Sequence, residues 1–173
     1  MKEIRIEKIT LNVGTGKPGS DLEKAKILLN KITGLKPAET RTMKRIPGWG
    51  LRPNLVIGCK VTVRGKNAVE LVQTLLKARD SEVSSRAFDK NGNFAFGIKE
   101  YLDVPTLNYI PEVGIIGFEV AVTLERKGFR VKRRSLKTRS IPARHRISKE
   151  QGIEFAKKSL GVIITDRDEE AEE

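Results

Sequence analysis

The chain has 173 residues, enough to bury the core of one domain. Lysine and arginine total 34 against 22 acidic residues, so the formal net charge is +12, and such an excess indicates an anionic partner, either nucleic acid or a membrane surface. No stretch is apolar enough to cross a membrane and no apolar leader opens the chain, so we expect neither a membrane span nor secretion. The single cysteine excludes an internal disulfide and is typical of a reducing compartment.

A strand is predicted at the start of the chain. Apolar residues alternate with polar ones from Ile9 to Val13, which leaves Asn12 on the outward face. Ile4 and Ile6 lie in the opposite phase. The change of phase predicts a bulge between the two halves of the strand.

Three segments carry a capping-box signal, in which a side chain caps the first turn of a helix and the residue three positions on returns the hydrogen bond. The boxes begin at Ser20, Asn67 and Ser148, and glycines Gly34 and Gly161 are predicted to end the first and third helices. The residues expected to face the core are Leu22, Ala25, Leu28, Leu29 and Ile32 in the first helix and Val69, Val72, Leu75 and Leu76 in the second.

The remaining strands are predicted at 39–43, 55–64, 94–98, 118–125 and 162–165. In the strand at 118–125, Glu119, Thr123 and Glu125 are expected to face outward. Strands and helices do not alternate strictly, so the predicted class is α+β: a largely antiparallel sheet with helices packed on one face, plus a protruding loop and a basic arm. One domain is expected over 1–165 with the arm, 126–149, inserted, followed by a flexible acidic tail at 166–173.

The strand at 55–64 has two faces of opposite character. Cys59 falls on the apolar face, whereas Lys60, Thr62 and Arg64 share the other. From residue 40 to residue 69 there are seven lysines and arginines and no acid. A basic and hydroxyl-bearing sheet face of this kind favours a polyanion as the partner.

The loop at 46–53 contains two glycines, two prolines and the only tryptophan, Trp49. Two interpretations are open. The loop is a rigid hairpin connection with Trp49 folded back on the sheet, or it is a presented tip in which Trp49 offers a stacking surface and Arg45 and Arg52 contact phosphate. The basic surroundings of the tryptophan favour the second.

The arm at 126–149 holds eleven lysines and arginines and no acid. It is either a solvated, disordered loop or a segment ordered by phosphates. Because the chain has two separate basic zones, we favour the second interpretation.

Other chemistry is disfavoured. The loop 14–19 lacks the close of a nucleotide-hydrolase P-loop because Pro18 follows Lys17; its amides hold an RNA phosphate or it is a plain loop, with equal support. The lone His145 lies in the basic arm and is expected to contact phosphate or base. One cysteine and one histidine make no metal-ligand set, and no catalytic constellation is found, so we expect no enzyme, no metal and no cofactor.

Several ordered blocks carry a resemblance. The runs at 9–14 (ITLNVG), 33–37 (TGLKP), 57–65 (IGCKVTVRG) and 88–93 (FDKNGN) resemble the large-subunit ribosomal protein five family in order and spacing, and the similarity covers nearly all of 3–165. The insert at 128–148, with ARHRI at 143–147, is similar to archaeal and eukaryotic members.

The resemblance implies a structural constituent of the large ribosomal subunit that binds 5S rRNA and helps attach it in the central protuberance. It also implies contacts with large-subunit rRNA, with P-site tRNA through the loop at 45–53, and with small-subunit protein thirteen across an intersubunit bridge. Many relatives carry glutamine where this chain has Leu35, and backbone or Lys36 contacts are expected to substitute. The alternative is a free RNA chaperone or RNA-binding regulator outside the ribosome; no membrane partner is expected.

The candidate contacts form two sets. For RNA they are Asn12, Gly14, Lys17, Lys36, Arg41, Lys44, Lys60, Thr62, Arg64, Arg130, Lys132, Arg133, Arg134, Arg144, His145 and Arg146. For the tRNA-contacting loop they are Arg45, Pro47, Gly48, Trp49, Gly50 and Arg52.

Overall fold

A computed structural model describes residues 1–165, and the predicted acidic tail at 166–173 lies outside the described residues. Strands and helices follow one another in mixed order. The strands are β1 (Ile4–Gly14), β2 (Ala38–Arg41), β3 (Val56–Arg64), β4 (Glu82–Ser84), β5 (Phe94–Ile98), β6 (Phe118–Arg126) and β7 (Ile163–Thr165). The helices are α1 (Ser20–Thr33), α2 (Lys66–Lys77), α3 (Arg130–Arg133) and α4 (Lys149–Phe155).

Five strands form one sheet in the order β2-β3-β1-β6-β5. β2 pairs with β3 in antiparallel fashion, with Ala38 opposite Lys60 and Thr40 opposite Gly58. The sheet is largely antiparallel, which confirms the predicted α+β class. The short strands β4 and β7 form a separate parallel pair; β4 was not predicted.

The described chain divides into two compact units. The first unit consists of Met1–Ile9, Arg64–Phe96 and the chain from Ala121 onward, and the second consists of Thr10–Val63 and Gly97–Val120. The expectation of one domain over 1–165 stays a prediction.

In the second unit, α1 buries one apolar face. Leu22, Ala25, Leu28 and Leu29 are buried, and so is Cys59 on β3, as predicted. The predicted capping box of this helix is wrong, because Gly19 is the capping residue and no side chain caps the helix. The end at Gly34 is confirmed: this residue is left-handed, and its N–H donates to the Asn30 carbonyl at 2.7 Å.

In the first unit, α2 also starts behind a glycine. Gly65 is the capping residue and no side chain caps the helix, so the predicted box at Asn67 is wrong. Ala68 is buried, whereas Val69 is 38% exposed and was wrongly predicted to face the core. Ala68 and Val72 are four residues apart and share one face, and Val69 lies about 100° around the helix from Ala68.

The third capping box, at the start of α4, is confirmed. The Ser148 hydroxyl accepts from the Gln151 N–H at 3.4 Å, and the Gln151 side chain accepts from the Ser148 N–H at 3.3 Å. The helix continues as a wider turn over Ala156–Leu160 and ends at the left-handed Gly161. A side chain at Gly152 would have its Cβ 2.5 Å from the backbone of Gly92, so α4 lies directly against the turn that precedes β5.

Candidate nucleic-acid interface

The open face of β1 and β3 in the second unit carries three of the predicted contacts. Cys59 and Val61 are buried, and the alternation of the strand therefore exposes Lys60 and Thr62. Among residues 1–165, no carboxylate lies within ion-pair distance of the Lys60 ammonium group. Lys60 and Thr62 thus place a cation and a hydroxyl two residues apart on one exposed surface.

Asn12 lies half-buried on β1, the strand beside β3. Its Nδ2 donates to Oε2 of Glu119 at 3.3 Å. The carboxylate of Glu119 repels a phosphate near this amide, whereas both groups can exchange hydrogen bonds with a 2′-hydroxyl or a base edge. The open face therefore combines a hydrogen-bonding end with a cationic one.

Gly58 lies on β3 where the backbone at the end of β1 comes very close to it. A Cβ there would be 2.5 Å from the Val13 carbonyl oxygen. Nearby, the N–H groups of Thr15 and Gly16 both donate to the Ile57 carbonyl, at 2.9 and 3.0 Å. These two amides of the loop 14–19 are engaged inside the protein, which favours the plain-loop alternative for them. Gly14 and Lys17 lie exposed beside them.

In the first unit, Arg64 belongs to an ionic cluster, which also contains Arg5, Glu7, Glu125 and Arg133. Its Nη1 donates to Oε1 of Glu7 at 2.9 Å. Arg133 donates to both carboxylates, reaching Oε2 of Glu125 at 2.5 Å, and Arg5 donates to Oε1 of Glu125 at 2.6 Å. The structure thus brings the two predicted contacts Arg64 and Arg133 to the same carboxylate, that of Glu7, so both bind an acid of the protein itself.

The observed burial of Glu125 contradicts the prediction made for this residue. It was predicted to face outward, yet its side chain is only 7% exposed, because two guanidinium groups cover it. Partial burial works against ionisation of Glu7, but the hydrogen bond from Arg64 and the charge of Arg133 outweigh it and hold the pKa of Glu7 below its usual range. Glu7 is therefore charged at neutral pH, and arginines donate hydrogen bonds to both carboxylates.

The loop at 43–53 is a presented tip. Ile46 pairs with Leu51 as an isolated antiparallel bridge, a single 3₁₀ turn covers Pro47–Trp49, and Gly50 is left-handed. Trp49 is 74% exposed, so the interpretation in which it folds back on the sheet is wrong. The other predicted residues of the tRNA-contacting loop are exposed as well: Arg45, Pro47, Gly48, Gly50 and Arg52. Lys44, predicted as an RNA contact, is exposed just before them.

The basic arm is folded in the described structure. It forms the short helix α3 and a single 3₁₀ turn at Ala143–His145, and it buries Ile141 and Ile147. The predicted arm contacts Arg130, Lys132, Arg133, Arg134, Arg144 and Arg146 are exposed.

Two arm residues make internal hydrogen bonds. Both Nε and Nη2 of Arg134 donate to the Lys137 carbonyl, at 3.0 and 2.7 Å. The Nε2 of the half-buried His145 lies 3.0 Å from the Lys127 carbonyl, and because a carbonyl can only accept, this nitrogen carries the proton. A contact of His145 with RNA would therefore use its Nδ1.

The two remaining predicted cations lie near the edge strand β2 of the second unit. Arg41 is exposed and lies 3.7 Å from Oε2 of Glu39, whose other oxygen accepts from Lys26 at 2.7 Å. That hydrogen bond lowers the pKa of Glu39 and raises the pKa of Lys26. Lys36 is exposed near Lys26 and Glu39, and Leu35 is exposed too.

Sequence reasoning missed the two carboxylates of the ionic cluster. Glu7 and Glu125 look like ordinary polar positions of strands in the sequence. Only the folding of the arm, in which Arg133 lies 126 residues after Glu7, matches them with arginines.

Within residues 1–165 no group of three His, Cys, Asp or Glu side chains could hold a metal ion. No helix in this part of the chain is long and apolar enough to cross a membrane.

These features define an α+β protein with an exposed cationic sheet face, a presented aromatic loop and a basic arm, which is the form of an RNA-binding structural protein. Two family models match: "Ribosomal protein L5" over residues 1–52, and the model for the C-terminus of the same ribosomal family over residues 56–155. The chain belongs to the ribosomal protein L5 family.

Curated relatives agree with this assignment. The chain is 47% identical over 165 residues to the large ribosomal subunit protein uL5 of Nanoarchaeum equitans, covering 95% of this chain and 97% of that protein. It is 44% identical to the protein of the same name from Sulfurisphaera tokodaii, with 96% and 94% covered. The family membership makes the chain a structural protein of the large subunit of the cytoplasmic ribosome and not an enzyme.

Proposed function

We propose that this ribosomal protein binds 5S rRNA on the open face of β1 and β3 and helps attach it in the central protuberance of the large subunit. The observation that carries the proposal is the exposed pair Lys60 and Thr62, a cation without a carboxylate partner in residues 1–165 beside a hydroxyl. The family resemblance supplies the identity of the RNA.

On this face, one side chain supplies electrostatic affinity and others supply directional hydrogen bonds. Lys60 neutralises a phosphate, whereas Thr62 and the Asn12 amide exchange hydrogen bonds with sugars or base edges. An A-form major groove is too deep and narrow for side chains, so the face reads a wide minor groove, a bulge or an internal loop. Glu119 contributes by keeping phosphates away from the Asn12 end and accepting from hydroxyl groups.

The presented loop supports the second part of the proposal, a contact with P-site tRNA. The bridge between Ile46 and Leu51 fixes the base of the loop, and the exposed indole of Trp49 offers a flat surface to a ribose or base. Arg45 and Arg52 flank it as phosphate ligands. Contacts with large-subunit rRNA through the arm and with small-subunit protein thirteen across an intersubunit bridge complete the proposal and rest on the family resemblance.

The test is binding of the purified protein to 5S rRNA over a salt series, with tRNA and an unrelated structured RNA as competitors. Thr62→Ala should weaken 5S binding and reduce the preference over the competitors, because a directional hydrogen bond is lost. Lys60→Ala should lower the slope of log affinity against log salt by about one, because one phosphate contact is lost.

The matched control is Lys31→Ala, which removes the same charge from the exposed side of α1 in the same unit. It should leave both the slope and the preference nearly unchanged. Equal affinity for every RNA, with no effect of Thr62→Ala, would overturn the proposal and favour a free RNA chaperone outside the ribosome.

A further inference from the structure

A cavity of about 350 Å³ lies within the first unit, beneath the basic arm. Its volume is in the range of about 300–1,000 Å³ that small-molecule sites occupy. The lining residues fall into an apolar wall, a polar rim and a set of cations. These are Leu124, Phe129, Ile141 and Ile147; Asn91, Asn93, Thr123 and Ser140; and Lys132, Arg133 and Arg146, with Glu7 as the one carboxylate.

The apolar wall is built around a half-exposed aromatic ring. Phe129 lies against His145 in an edge-to-face arrangement, with ring centroids 5.6 Å apart. This contact and the hydrogen bond of His145 to the Lys127 carbonyl hold the ring in place. Ile141 and Ile147 are buried beside the cavity. The wall therefore suits a flat, weakly polar group such as a nucleobase.

The polar rim contains two side-chain amides. That of Asn93 forms hydrogen bonds within the protein, whereas that of Asn91 forms none within residues 1–165. Asn93 donates to Asp89 at 2.9 Å and accepts from the Leu124 N–H at 2.9 Å. The backbone of Asn91 is fixed by Asp89, whose Oδ1 accepts its N–H at 2.8 Å, but the Asn91 side chain has no hydrogen bond within residues 1–165. An amide that can both donate and accept suits the edge of a base.

The charges of the cavity leave an excess of cations. Glu7 is engaged by Arg64 and Arg133, and it cannot offset the others. In the described part of the chain, no carboxylate pairs with Lys132 or Arg146. The Nε of Arg146 donates to the Ile141 carbonyl at 3.2 Å, which fixes its guanidinium group at the cavity. A phosphate group would find two cations there.

We propose that this cavity binds a single nucleotide, with the base against Phe129, the Asn91 amide at the edge of the base, and the phosphate on Lys132 and Arg146. The ligand chemistry is that of a nucleoside monophosphate. It could come from a free nucleotide or from a nucleotide extruded from bound RNA, and the second source rests on the proposed RNA-binding function. Extrusion of an unpaired base into a protein pocket is a general mode of RNA recognition.

The experiment follows the methyl NMR signals of Ile141 and Ile147 in the full chain during titration with AMP, GMP, CMP and UMP, and with ribose 5-phosphate. We expect saturable shifts with at least one nucleotide and weaker or no response to ribose 5-phosphate, which lacks the base. Lys132→Gln and Asn91→Ala should each weaken nucleotide binding several-fold. Lys157→Gln is the matched control, because it removes the same charge from an exposed residue of the same unit, outside both the arm and the cavity, and should have no effect.

The RNA source is tested by ultraviolet crosslinking of the intact 5S rRNA complex, or of the ribosomal subunit, followed by mass spectrometry. An adduct on the peptide that contains Phe129, lost in Asn91→Ala, would support an extruded nucleotide even if free nucleotides bind too weakly to detect. Absence of both nucleotide shifts and adducts would overturn the proposal, and so would equal binding of ribose 5-phosphate, which would indicate a simple anion site. Loss of selective 5S binding to the open face is measured separately with Thr62→Ala, so the two proposals can fail independently.

Discussion

Lys60 and Arg64 lie on the same strand and look equivalent in the sequence, but their surroundings differ. Lys60 has no carboxylate partner within residues 1–165, whereas Arg64 donates to Glu7 at 2.9 Å. The same contrast separates Lys132 from Arg133, which bridges two carboxylates. A count of basic residues therefore overstates the charge available to RNA, because part of it holds the arm to the rest of the protein.

The largest effect is expected from Glu125→Gln, which would leave Arg5 without its charged partner and Arg133 with Glu7 alone. Because Glu125 is nearly buried while the arginines are about half exposed, we expect a loss of about 1–2 kcal/mol in the free energy of unfolding. Urea denaturation measures it. Glu119→Gln, on the exposed side of the same strand, is the control and should change stability by less than about 0.5 kcal/mol. Equal losses would show that the cluster contributes no special stability.

A somewhat smaller effect should separate two neighbouring cations of the arm. Arg133→Gln should lower the free energy of unfolding by about 1 kcal/mol, because it removes the link between Glu7 and Glu125. Lys132→Gln should leave stability within about 0.5 kcal/mol. Thermal and urea denaturation of both variants would test the comparison directly, and the reverse order would contradict it.

Acid should weaken the same cluster. The pKa of Glu7 is lowered in the folded protein from its ordinary value of 4.5, so its contribution to stability is present above that value and is lost as the pH falls through the lowered pKa. The stability difference between the unmodified protein and Glu7→Gln should therefore be constant near neutral pH and shrink below about 4.5. Denaturant midpoints at a series of pH values measure it. A difference that stays the same in acid would exclude the ion pairs as its source.

The smallest effect is expected in RNA binding by Arg64→Ala. Because Arg64 is already engaged with Glu7, the change should lower the salt dependence of 5S binding by clearly less than the change of about one expected for Lys60→Ala. A larger effect for Arg64→Ala would show that RNA displaces Glu7 from this arginine.

The sequence allowed much of the fold to be predicted, since periodicity depends on neighbours along the chain. It placed α1, α2, α4 and the five strands of the main sheet, and it put Cys59 in the core. Two capping boxes failed because Gly19 and Gly65 cap the helices one and two residues before the predicted side chains. The pattern alone does not distinguish a capping side chain from one within the first turn.

The candidate site was predictable where a single strand decides exposure, as for Lys60 and Thr62. The burial of Glu125 was not, because it depends on Arg5 and Arg133, and Arg5 lies 120 residues earlier in the chain. The cavity beneath the arm was missed for the same reason: its walls come from separate segments that meet only in the folded unit.

The parallel pairing of β4 with β7 has a consequence for synthesis. Glu82 pairs with Ile163 and Ser84 with Thr165, so this pair joins segments about eighty residues apart. During translation, the edge of β4 has no partner until the chain has been made as far as residue 165. Contacts of such long sequence separation form late and slowly. The nascent protein must therefore complete β7 before this edge is protected from pairing with another chain.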